Sequence, residues 1–169
     1  MITKILIVVT ILIGNFSLAQ RVSTANFGPV NYKMTDQQIY SLNPDKLAVF
    51  DVNNPDMPEQ DININGVNYH VVYYKNLYSK KNEFFSVESE GKELITLSGI
   101  KIGSSLDDLW KVYKNNSISY LGTDDNRYFT FYDLENETEL IFYLKNNKVW
   151  KIKLSYEKGY LNNNIYYQN

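Results

Sequence analysis

Between Gly66 and Tyr74 the chain alternates. Val67, Tyr69, Val71 and Tyr73 share one face, and Asn68, His70, Val72 and Tyr74 the other. That two-residue period predicts a half-buried strand. "NEFFSVES" (82–89) reads as its partner, joined through the polar "KNLYSKK". Upstream, "KLAVFDV" (46–52) predicts a short strand, and "NNPDMPEQD" (53–61), with two prolines among polar residues, a loop. "ELITLSGIKI" (93–102) is strand-like, with Gly99 at a bend or bulge. "SISYL" and "RYFTFYDL" follow, parted by the turn "GTDDN" (122–126).

One segment changes period. In "GIKIGSSLDDLWKVY", Leu106, Leu109, Trp110 and Tyr113 fall at i, i+3, i+4 and i+7, the single apolar stripe of a helix over about 105–115. Ser104 with Asp107, or Ser105 with Asp108, has capping-box spacing, in which a side-chain oxygen satisfies an otherwise unpaired amide. The acids suit the positive end of the helix dipole, and Lys111 and Lys114 the negative end. Gly99 and Gly103 fit neither a Walker loop nor a dinucleotide fingerprint, and the aspartates lack calcium-loop spacing. The stretch starts a helix. A shorter one opens at Thr35, with Gln38 three residues on, and stops at Asn43-Pro44. Residues 20–34 show little periodicity and predict an extended lead-in; the tail "GYLNNNIYYQN", from about 159, predicts a mobile end.

The last hairpin, "ETELIFYLKNNKVWKIKLSY", has the clearest pattern. Leu140, Phe142 and Leu144 share a face, as do Trp150, Ile152, Leu154 and Tyr156. A two-residue Asn146-Asn147 turn would mix these faces. A three-residue loop, Lys145 to Asn147, instead pairs Phe142 with Trp150, Leu140 with Ile152 and Glu139 with Lys153. Asn147 would then take the left-handed conformation, which Asn tolerates. This predicts an interior layer, Trp150 included, beneath one helix, with no room for a reactive pocket. The fold class expected is α+β: a single twisted antiparallel sheet with one main helix packed on one face.

The capped helix "GIKIGSSLDDLWKVY" followed by hairpins ending in "FYLKNNKVWKIKL" resembles a pattern in exported bacterial proteins, across about residues 99–156. The outer-membrane assembly lipoprotein family and the β-lactamase-inhibitor-protein family show such a helix-on-sheet module. The resemblance implies a non-catalytic module that binds proteins or envelope components.

Composition adds location. "MITKILIVVTILIGNFSLAQ" has a basic Lys4, an aliphatic run from Ile5 to Ile13, and small Ser17 and Ala19 before a cleavage point. That is a secretory leader over residues 1–19, too short in its apolar core to span a bilayer. Residues 20–169 then form one domain, periplasmic or extracellular, with no transmembrane segment. No cysteine is present, which excludes thiol chemistry, cysteine metal sites and an N-terminal lipidated cysteine. The net charge of −2 and only two arginines, Arg21 and Arg127, argue against nucleic acid.

Candidate chemistry is thin. His70 is the sole histidine, with neither nucleophile nor orienting acid evident, and cannot alone build a zinc site. Asp133, Glu135, Glu137 and Glu139 alternate along "DLENETE". They predict a solvated turn, with calcium binding or a hydrolase-like carboxylate pair as alternatives. Ile141 and Tyr143 beside Lys151 and Lys153 form an apolar patch ringed by lysine, a candidate partner-binding face. The function expected is therefore an exported non-catalytic binding module without cofactor, such as an inhibitor or immunity-type protein. Its partner is a protein or envelope component. Fifteen tyrosines and frequent asparagine make a glycan-binding module the first alternative.

Overall fold

The computed structural model describes residues 20–42, 56–123 and 126–156. The leader (1–19), the strand expected at 46–52 and the tail from 159 lie outside them. In chain order the elements are β1 (Gln20–Val22), β2 (Asn26–Phe27), β3 (Val30–Asn31), α1 (Asp36–Tyr40), β4 (Glu59–Ile64), β5 (Val67–Lys75), β6 (Asn82–Ser89), β7 (Leu94–Thr96), α2 (Leu106–Tyr113), β8 (Ile118–Thr123), β9 (Asn126–Asp133), β10 (Thr138–Lys145) and β11 (Lys148–Tyr156).

The expected single sheet with one main helix is corrected. Strands dominate, in a seven-stranded antiparallel sheet, β4-β5-β6-β11-β10-β9-β8, and a four-stranded one, β3-β2-β1-β7, in which β1 and β7 run parallel. The lead-in folds because it finds partners far along the chain. Gln20, Arg21 and Val22 pair with Leu94, Ile95 and Thr96, a contact no local pattern announces. The loop expected at 53–61 is shorter, since Glu59–Asp61 already pair with β5. The strand expected over 93–102 ends at Thr96, where the chain reverses through Gly99 at φ +86.

The core lies on one face of the large sheet. Val67, Tyr69, Val71 and Tyr73 are all buried there, as their alternation predicts, alongside Leu140, Phe142, Ile152 and Leu154. At one end the small sheet closes over them, with Phe27 edge-on to Tyr69 at 6.1 Å. Gly28 (φ +60) makes that approach possible, because a Cβ there would stand 2.7 Å from the Tyr69 hydroxyl. At the other end α2 packs on β9 and β10, its Tyr113 ring 5.1 Å from Phe131 and 5.7 Å from Phe142. Leu109 is fully buried beneath it.

Ser105, not Ser104, caps α2, exchanging both capping-box bonds with Asp108. The segment before it also builds the end of the last hairpin. The Gly103 amide donates to the Val149 carbonyl (2.7 Å), Val149 N–H to Ser104 O (2.8 Å), and Leu106 N–H to Asn147 O (2.9 Å).

Those bonds accompany a corrected register. The turn has two residues, Asn146 and Asn147, both left-handed at φ 52° and 58°, as a tight hairpin of this hand requires. The extra residue that the face pattern demands lies at Trp150 instead: Leu144 pairs with Val149 and Tyr143 with Lys151, so Trp150 bulges. Phe142 therefore faces Ile152, Leu140 faces Leu154, and Glu139 faces Ser155 rather than Lys153. Val149, 1% exposed, holds the interior place expected of Trp150.

Candidate functional site

The sheet's second face carries the chemistry. Alternation along β10 and β11 turns Ile141, Tyr143, Lys151 and Lys153 away from the core, and the register sets Tyr143 beside Lys151 and Ile141 beside Lys153. The four residues of the predicted partner face are thus brought together. Trp150 joins them through its bulge, its ring 6.3 Å from Tyr143, and Tyr128 of β9 lies 6.0 Å beyond on the other side. The Lys151 ammonium sits 4.4 Å from the Tyr143 ring centre and 5.1 Å from that of Trp150, close enough for cation–π attraction to both. Leu121, 59% exposed and paired with Tyr128, ends the row on β8.

A second cross-strand row, Asp61–His70–Glu88–Lys153–Ile141, runs from β4 to β10. Lys151 closes on Glu88 at 2.9 Å. Burial holds the Lys153 ammonium below the usual lysine range, the Glu88 carboxylate pulling it partly back up. Burial likewise pushes the Tyr143 phenol up, and the negative charge of Glu88 adds to it. A charged group already stripped of part of its water has less hydration left to lose on meeting a partner.

Beside this row an open groove of about 590 Å³ gathers His70 with Asp61, Glu88 and Glu90, next to Lys151. The expectation that Trp150 belongs to the interior layer is therefore corrected. Bulging of Trp150 and alternation of His70 place both on the outer face. The histidine hydrogen-bonds Asp61 through Nδ1 at 2.8 Å, and its Nε2 lies 3.5 Å from Glu59. Asp61 is 86% exposed, so water screens the pair.

The acidic segment is a turn with one anchoring member. Asp133 accepts from Thr24 Oγ1 (2.6 Å), Asn136 Nδ2 (2.8 Å) and the Glu135 and Asn136 amides (both 3.1 Å), tying the β9–β10 turn to the small sheet. Burial alone would raise its pKa, but these hydrogen bonds to the charged form outweigh that and hold the carboxyl below the usual range. Glu137 adopts a left-handed backbone (φ 54°) in the same turn. Among the described residues no group of three or more histidines and carboxylates is placed to hold a metal ion, and no helix is long and apolar enough to cross a membrane.

Glu88 and His70 could have been added to the site from the same alternation that defined β5 and β6. Trp150 could not, because the hydrophobic pattern demands an extra residue in the hairpin without saying whether it sits in the loop or in a bulge. No known family matches the chain, and no curated protein does. A solved structure of similar course is the crystal structure of a DUF4309 family protein, YjgB, from Bacillus subtilis. It is 15% identical, spans 83% of this chain and 89% of its own, and superposes with a TM-score of 0.47.

Proposed function

We propose that the protein is an exported, non-catalytic binding module that docks a protein partner on the outer face of its large sheet. The inhibitor or immunity-type role is the concrete version of this reading. One observation carries it: Tyr128, Tyr143, Trp150 and Lys151 stand in ring-to-ring and cation-to-ring contact beside the partly desolvated Lys153. Large, preordered aromatic side chains with a held cation are the chemistry that dominates protein interfaces. The matching partner surface offers apolar side chains and an acid that meets Lys153. The secretory-leader pattern of residues 1–19 supports a partner outside the cytoplasm.

The test is capture from an envelope extract by the wild-type protein and by Tyr143→Ala/Lys151→Glu. A captured protein should fall by about tenfold or more with the double variant, the loss that 1.4 kcal/mol of binding produces. Equal capture by both would reject this face. Retention by purified polysaccharide alone would favour the glycan-binding alternative.

A further inference from the structure

The two edges of the large sheet differ. The edge strand β4, "EQDINI", carries Glu59 and Asp61, the charges that natural edge strands use to discourage pairing with other chains. At the other edge β8, "ISYLGT", has no charge and no proline, and among the described residues no strand pairs with its outer side.

The hydrogen-bond pattern says which backbone groups this leaves open. Tyr132 N–H donates to Ser117 O at 2.9 Å, so residue 117 bonds inward. Because bonded and non-bonded pairs alternate along an antiparallel ladder, Ser119, Leu121 and Thr123 also bond toward β9. Ile118, Tyr120 and Gly122 then aim their amides and carbonyls outward. Exposed apolar side chains flank the same edge on both faces. Leu121 (59% exposed) and Tyr128 (36%) lie on the outer face. Trp110 (38% exposed) lies on the helix side, its ring edge-on to Tyr120 at 6.1 Å.

We propose that β8 is a self-association edge, and that two copies of this chain join β8 to β8 antiparallel about a two-fold axis at Tyr120. In that register Tyr120 exchanges two hydrogen bonds with its counterpart, and Ile118 exchanges two with the partner's Gly122 at each end. The absence of charge matters most here, since a self-pairing strand meets its own side chains and any charge near the axis would meet its like. The axis brings the Trp110–Tyr120 pairs of both copies together on the helix side and sets Leu121 against Ser119 on the outer face. The two large sheets become one, with both partner-binding faces on the same side.

Sedimentation of the wild-type protein over a wide concentration range tests this, together with Tyr120→Pro and Leu121→Lys. Proline at 120 removes an outward-facing donor and leaves the inward ladder to β9, while lysine at 121 guards the edge from a position already exposed. We expect a concentration-dependent dimer whose dissociation constant rises about a hundredfold in either variant, with unchanged far-ultraviolet circular dichroism. Amide exchange at Ile118, Tyr120 and Gly122 should slow as the dimer fills. A wild-type mass that stays monomeric overturns the proposal. So does a dimer that Leu121→Lys leaves intact, or one in which those three amides exchange as fast as in the monomer.

Discussion

Val149→Ala distinguishes the bulged hairpin from the regular one. In the bulged register Val149 is buried at 1% exposure opposite Leu144, itself 1% exposed. In the regular register, with Trp150 turned inward, alternation would put Val149 on the outer face. Truncation removes two methyl groups, about 1.6 kcal/mol of transfer free energy at ~0.8 kcal/mol each. The partly relaxed cavity adds about 1 kcal/mol, so a loss of about 2.5 kcal/mol is expected. For a domain of this size that corresponds to a fall in Tm of about 5–10 °C. Urea unfolding followed by tryptophan fluorescence should show the loss as a lower midpoint at unchanged slope. A loss below about 0.5 kcal/mol, the usual range for surface substitutions, would refute the bulge and the outward placement of Trp150.

Ser105→Ala should cost about 1 kcal/mol by removing the α2 cap, whereas Ser104→Ala, outside the box, should cost less; thermal melts of the two separate the caps. Asp133→Asn should flatten the acid limb of stability. The folded-state pKa of Asp133 is depressed, so its contribution is present above the unfolded value and is lost as pH falls through the folded one. Melts in a descending pH series check this, and an acid limb as steep as that of the wild type would show that the Thr24 and Asn136 bonds do not stabilise the turn.

Much of the local structure was legible because it rests on neighbours in sequence. The alternation at 67–74 set Tyr69 and Tyr73 on one face and His70 on the other, and the stripe from Leu106 to Tyr113 with its Ser-x-x-Asp start located α2. Ile141, Tyr143, Lys151 and Lys153 came together because residues two apart on paired strands share a face whichever even register is chosen. The second sheet was not legible, since β1 and β7 lie some seventy residues apart and their backbone bonding depends little on side-chain identity.

The hairpin shows where one kind of information ends and the other begins. Sequence alone determined that one extra residue must enter β10–β11 for Leu140, Phe142, Ile152 and Leu154 to share the core. It could not say where, because a loop residue and a bulge residue satisfy the same parity. The tertiary structure decided it: Gly103 and Ser104, arriving from before α2, bond both backbone groups of Val149 and hold that residue inside. Trp150 is left on the outer face, and the candidate site with it.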